Sequence, residues 1–313
     1  MSEPFSPRQS AAAASQAADV PKSLPVRLLR LAGRLPLRLL HALGAALGVA
    51  VFVMSPAYRR KLRANLRQAG FDQRGFAWRA AAETGRTIGE LPFIWTRPSA
   101  ELARLTLWEN PQLFDEIEAA GGGILFLTPH LGAFELSARL YAATRAPMTV
   151  MFKPPNQPAL RPLAELARNG DGLRAVPASL AGVRALLRGL RGGGAVGLLP
   201  DQVPGAGDGR WAPFFGRPAY TMTLPQRLAQ QPGVHTVLVA CERLPSARGW
   251  RLHAEPMPEA ATPQAVNARM ESLIRRCPAQ YLWGYNRYKQ PAGVPGPDDA
   301  GAAGAAARPP ADR

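Results

Sequence analysis

A histidine, a glycine and an acid fall close together in Thr128-Pro129-His130-Leu131-Gly132-Ala133-Phe134-Glu135. Histidine changes charge near neutrality. A carboxylate bonded to one ring nitrogen fixes the tautomer and leaves the other nitrogen free to take a proton. His130 and Glu135 are five apart, so on one continuous helix they would stand well apart around its axis. With His130 in a turn and Glu135 in the first turn of the following helix, the carboxylate can reach back to the imidazole. The helix N-terminus also suits an acid. The plain alternative is a histidine that satisfies a turn and a glutamate that caps a helix.

Other residues can bear on the same chemistry. A short apolar run at 195–199 ends in Pro200-Asp201-Gln202, repeating the apolar-run-then-proline pattern before His130. If the two runs are neighbouring strands, Asp201 arrives at the same sheet edge; capping of the next turn is the alternative. Lys153 and Arg168 can face an oxyanion or a phosphate, or simply form a solvated basic face. Phe214 and Phe215, in an aromatic stretch at 211–220, suit a long acyl chain or ordinary core packing. Residues 280–289, QYLWGYNRYK, interleave aromatic and basic side chains that can serve a lipid headgroup or nucleic acid, or simply form an amphipathic end facing an interface. No Gly-x-Ser-x-Gly elbow is present, so a serine acyl-enzyme is not indicated. No dinucleotide glycine fingerprint or clustered metal ligands appear, and no cofactor or metal is expected. Cys241 and Cys277 match no metal spacing and give no reason for a disulfide framework.

The elements that position these residues follow from periodicity. Apolar residues 124–127 read as a strand that Pro129 ends, because proline cannot donate to the ladder. Phe134, Leu136, Leu140 and Tyr141 then read as a helix packed back on it. Strands are expected at 148–152, 195–199, 234–241 and 249–254. Helices are expected at 157–168, 179–190, 223–230 and 262–277. This alternation predicts an α/β fold, a mostly parallel central sheet covered by helices. His130 then sits at the carboxyl edge of a strand, where open α/β sheets bind ligands. Residues 58–120 read as helical throughout, with Pro92 ending a helix that starts at Phe76.

The chain has 313 residues, is 47% apolar and carries a net charge of +16, almost all of its cations being arginine. That suffices for a real core and points to an anionic partner: membrane lipid, an acidic protein or nucleic acid. Residues 1–22 read as disordered, not as a signal peptide. Residues 23–57 combine a basic, leucine-rich segment with an apolar run at 39–54, and more basic residues follow. Basic flanks on both ends favour an anchor lying on the membrane over a span; a buried core helix is the alternative. Residues 58–120 form a helical N-terminal part, 121–289 the α/β core and 290–313 a disordered tail.

Taken in order, several pieces carry a resemblance: His130-x4-Glu135, FKPPNQP at 152–158, Arg168, PDQ at 200–202, PFFGRPAYT at 213–221 and WGYNRYK at 283–289. Over about residues 24–289 the chain is similar to the lipid A biosynthesis acyltransferases of the lauroyl/myristoyl type, within the lysophospholipid acyltransferase superfamily. The resemblance implies a membrane enzyme on the cytoplasmic face of the bacterial inner membrane. It would move a fatty acyl group from acyl carrier protein to a hydroxyl of a lipid A precursor. It implies His130 as general base, Glu135 as its orienting partner, and Arg168 and Asp201 at positions the family uses. Lys153, Phe214, Phe215, Gly216, Asn286 and Arg287 then fall to substrate binding. The Phe-Pro-Glu-Gly-Thr run of the glycerophosphate branch is absent, and PDQ occupies the comparable place. Another lysolipid or an amino-acid lipid is the alternative acceptor. A non-catalytic basic protein binding membrane or nucleic acid is the rival from another class.

Overall fold

The structure, a computed structural model, describes residues 24–152 and 170–298. Lys153, Arg168 and the helix expected at 157–168 lie outside the described residues.

The N-terminal helices come first. Leu24–Gly33 (α1) is amphipathic, with arginines beside exposed leucines. Leu37–Met54 (α2) starts after Pro36 and stops at Ser55. Ser55 then caps Pro56–Gln68 (α3), its Oγ accepting from the Tyr58 amide at 3.3 Å. Phe76–Thr96 (α4) runs straight through Pro92, which sequence reading took as its end. Proline inside a helix costs about 3 kcal/mol. Here the carbonyl it leaves without a donor belongs to Ile88, on the exposed flank of the helix, while Phe93 and Ile94 just beyond are buried. That burial holds the last turn in place.

Ser99–Arg104 (α5), Thr106–Trp108 (β1) and Gln112–Ala120 (α6) follow. The short strand β1 corrects the all-helical reading of 58–120: it pairs with Trp250–Pro256 (β9). The core then alternates Gly123–Leu127 (β2), Phe134–Thr144 (α7), Met148–Phe152 (β3), Leu173–Pro177 (β4), Leu180–Arg191 (α8) and Ala195–Leu198 (β5). A two-stranded ribbon, Gly209–Phe214 (β6) and Arg217–Met222 (β7), precedes Leu224–Ala229 (α9), Val234–Arg243 (β8), β9 and Pro263–Arg276 (α10).

The seven-stranded sheet has the order β1-β9-β8-β2-β5-β3-β4. Strands β8, β2, β5, β3 and β4 are mutually parallel, and β9 turns back antiparallel to β8. The fold is therefore α/β around a mostly parallel sheet, with apolar clusters on both faces: α8 and α10 contribute to one, α6 and α7 to the other. A third cluster joins α2 and α4 to α7 and Trp250.

Strand β2 hands the chain to β3 on one side, and β5 sends it to β8 on the other. Their shared carboxyl edge is a topological switch point, where a crevice opens in open α/β sheets.

Candidate active site

Strands β2 and β5 are paired in register, Leu127 opposite Leu198. His130 follows Leu127 by three residues and Asp201 follows Leu198 by three. Each turn carries a proline at its second position, Pro129 and Pro200. Equal offsets from a paired rung bring the two side chains together. Asp201 Oδ1 lies 2.7 Å from His130 Nδ1, and Oδ2 accepts the His130 backbone N–H at 2.9 Å.

This geometry sets the tautomer. A carboxylate accepts and does not donate, so Nδ1 carries the proton and the lone pair belongs to Nε2. The Gln202 side-chain amide donates to Nε2 at 3.1 Å. The Phe134 ring packs on the imidazole, centroids 4.9 Å apart. The His130 side chain is 17% exposed and that of Asp201 only 2%. Burial pushes the Asp201 carboxyl up. The attraction of a protonated imidazole, the two bonds from His130 and the Arg287 guanidinium outweigh burial and hold Asp201 below the usual carboxylate range.

Sequence reading gave the orienting post to Glu135. In the structure Nδ1 is taken by Asp201, and Glu135 stands half-buried in the first turn of α7. The pairing across the sheet was open to sequence only as the echo between the two strand-proline turns. Gln202 was missed as a functional residue, although it adjoins Asp201 in the same turn.

The turn bearing His130 is clasped by a segment near the end of the described chain. Leu282 donates its amide to the His130 carbonyl at 3.1 Å, and Gly132 donates to the Gln280 carbonyl at 3.1 Å. Tyr285 Oη accepts from the Val203 amide at 2.9 Å, fixing the turn after Asp201. Asn65 of α3 ties this segment down, donating to the Trp283 and Tyr285 carbonyls at 2.7 and 2.8 Å. Tyr281 is buried beside Asp201; burial first, then that carboxylate, pushes its phenol well above the ordinary value.

The residues assigned to substrate binding fall in two groups. Phe214, Phe215 and Arg287 are interior side chains. Arg287 donates to the Tyr220 carbonyl, Thr221 Oγ1 and Asn267 Oδ1, and its guanidinium lies over the Phe214 ring. Arg287 is near enough to Asp201 to lower its carboxyl, and Phe214 packs against the guanidinium; sequence reading had placed all three side chains against a substrate. Gly216 and Asn286 are exposed. Phe215 and Gly216 both have positive φ, 46° and 74°, the geometry of a two-residue hairpin turn, so Gly216 is the turn former between β6 and β7.

A cleft of about 860 Å³ lies between α2, α4, the end of β8 and the end of α10, lined by Arg38, Arg79, Glu83, Arg243, Arg276 and Gln280 among others. His130 is not among its lining residues. The chemistry is assigned from the His130–Asp201 pair and not from this cleft.

The arrangement is that of an imidazole base with an anchored anion behind it and an amide, in place of a serine hydroxyl, in front of it. Both cysteines are buried, and burial raises the Cys241 thiol well above its ordinary value and pushes Cys277 up to about 12.

The chain is 25% identical over 289 residues to the lipid A biosynthesis lauroyltransferase of Escherichia coli (strain K12), covering 87% of this chain and 92% of that one. It is 26% identical over 224 residues to the lipid A biosynthesis palmitoleoyltransferase of the same organism, covering 66% and 71%. The lipid A biosynthesis acyltransferase of Shigella flexneri matches to the same extent. Residues 15–290 match the bacterial lipid A biosynthesis acyltransferase family, so the chain belongs to that family and is an acyltransferase.

Proposed function

We propose that this acyltransferase moves a fatty acyl group from an acyl carrier protein thioester to a hydroxyl of a lipid A precursor, directly and with His130 as general base. The observation that carries the reading is the Asp201 carboxylate on Nδ1, which leaves Nε2 as the basic nitrogen. The acceptor O–H displaces the Gln202 amide from Nε2 and gives its proton there as the oxygen attacks the thioester carbonyl. The tetrahedral oxyanion collapses, the C–S bond breaks, and the leaving thiolate takes the proton back from the imidazolium. The products are the ester and the free thiol, so atoms and charge balance without an acyl-enzyme. The displaced Gln202 amide is a donor within reach of the oxyanion. Lys153 and Arg168 are proposed for the oxyanion or an acceptor phosphate, and Asn286 for the acceptor headgroup. Glu135 is proposed as a second positioning acid behind the His130 turn.

General-base help contributes about 10²–10⁴-fold, so holding two lipid substrates in register supplies much of the rest. The net charge of +16 favours an acidic carrier protein and anionic headgroups. The proposed location is the cytoplasmic face of the bacterial inner membrane, where thioester and lipid meet. The relatives named above differ in acyl group, lauroyl against palmitoleoyl, and chain length for this protein is a matter for measurement.

The test is mass spectrometry of lipids formed when purified protein meets acyl carrier protein thioesters and phosphorylated lipid A precursors. The expected product is the precursor plus one acyl group. His130→Ala is expected to lower its formation by about 10²–10⁴-fold with unchanged circular dichroism. Transfer at the unsubstituted rate by that variant would remove His130 from the mechanism.

A further inference from the structure

By length and mean hydropathy α2 qualifies as a membrane span. Its 18 residues reach about 27 Å, close to the roughly 30 Å of a bilayer core, so length alone does not decide whether it crosses. Its packing does.

One face of α2 is occupied along its whole length: Leu37, Leu40, His41, Gly44, Gly48 and Phe52 are buried. The glycines of this face meet Gly85 and Gly89 of α4 so closely that a methyl group at any of the four would collide with the facing backbone. Glu90 of α4 binds His41 of α2 at 3.0 Å and also accepts from Arg243 of β8 and Trp250 of β9, all three meeting its Oε2. Glu90 thus ties α2 and α4 to the sheet, and Arg38 of α2 donates to the Ser246 carbonyl in the β8–β9 connection. Hydrocarbon deep enough to swallow α2 end-on would also have to swallow α4 with Arg79, Glu83 and Arg86, and the sheet beyond.

The opposite face of α2 is exposed and apolar, with Leu39, Leu43, Leu47 and Val51 at four-residue spacing; Leu28 and Leu31 of α1 extend the apolar exposure. The basic residues have a partner of matching chemistry. Residues 24–71 hold nine arginines and lysines and no acid. An apolar stripe bordered by cations fits an anionic phospholipid surface.

We infer that α1 and α2 form a one-sided seat on anionic phospholipid, with α2 parallel to the membrane plane, its leucine stripe in the acyl boundary and both of its ends on the same side. This deepens the membrane part of the reading above and is independent of acyl transfer itself. It also sets the height of the chemistry. Ala133 and Leu136, just after His130, pack in the cluster that contains Leu37 and Leu40 of α2, and Thr87 of α4 donates to the Gly132 carbonyl. The base is thus held at headgroup level, where a membrane lipid presents its hydroxyls.

The test uses the full chain expressed in bacteria, with Arg34→Cys and Ala57→Cys made singly as labels flanking α2. The native thiols Cys241 and Cys277 are buried. A membrane-impermeant maleimide is applied to inverted and to right-side-out membrane vesicles. Both labels are expected to react in one vesicle orientation and neither in the other; labelling from opposite sides overturns the proposal. With purified protein, binding to phosphatidylcholine vesicles is expected to rise when phosphatidylglycerol is included, and equal binding to both overturns the headgroup assignment. Leu43→Asp with Leu47→Asp, both at exposed positions, is expected to weaken vesicle binding by roughly tenfold or more with circular dichroism unchanged. Undiminished binding by that folded variant overturns the seat. Acyl transfer to a detergent-solubilised acceptor is measured alongside, so that loss of the seat and loss of the chemistry are told apart.

Discussion

Asp201 serves His130 through two bonds, one to the ring and one to the backbone amide of the same residue. The tautomer and the turn beneath it are therefore set by one carboxylate. Asp201→Asn keeps the shape but offers an amide that can donate to Nδ1 and reverse the tautomer. It is expected to lower kcat by about 10²–10⁴-fold with KM little changed, while Glu135→Gln costs roughly tenfold. Steady-state kinetics on the two variants checks the order, and the reverse order would return the orienting role to Glu135. His130 was legible because an apolar run followed by proline ends a strand and leaves the next residue at the edge. Its ring partner was harder to read: counting along the chain favours Glu135, whereas the contact is made across the sheet, by a register that one sequence does not display. The partners of Arg287 were hidden for a related reason. Its neighbours Tyr285 and Tyr288 gave it the look of a headgroup contact, but its partners, Tyr220, Thr221 and Asn267, come from β7 and α10.

At the scale of elements, the seam between α2 and α4 is made by backbone meeting backbone at glycine. Gly48→Leu is expected to force the two helices apart and to destabilise by about 1–3 kcal/mol or more, seen as a lower denaturation midpoint at unchanged slope. The main helices were legible from apolar periodicity. Strands β1 and β4 and the ribbon of β6 and β7 were not. Strand β1 has three residues, too few for a period to register. The ribbon carries Pro213 and Pro218, which argue against strands by rule. In the structure they face each other one rung in from the two-residue turn, at a non-hydrogen-bonded pair, where neither proline removes a ladder bond.

At the scale of the whole molecule, Glu90 joins the N-terminal helices to the sheet. It is fully buried; burial pushes its carboxyl up, and the Arg243 charge with bonds from His41 and Arg243 brings it below the ordinary value. Arg243→Met leaves that carboxylate without its main counter-charge and is expected to cost about 3–5 kcal/mol, measured by chemical denaturation. Adding Glu90→Gln in the same chain should recover most of the loss. Glu90 and Asp201 both have lowered folded-state values, so the stability they contribute is present above the ordinary carboxylate range near pH 4 and is lost as pH falls through their folded values. Melting temperature should hold steady from neutrality to about pH 5 and fall steeply below about pH 4, and Asp201→Asn should make that fall shallower. The alternation of strands and helices made the parallel sheet legible as a class. The strand order was not, because it depends on which side each crossover takes.

The clasp on the His130 turn comes from residues 280–285, far downstream of the base it steadies. A nascent polypeptide that has emerged from the ribosome through Gln202 already owns His130 and Asp201, yet lacks the bonds that residues 280–285 make to their two turns. On the proposed mechanism the site is therefore completed late in translation, which would keep a half-made chain from wasting its acyl donor.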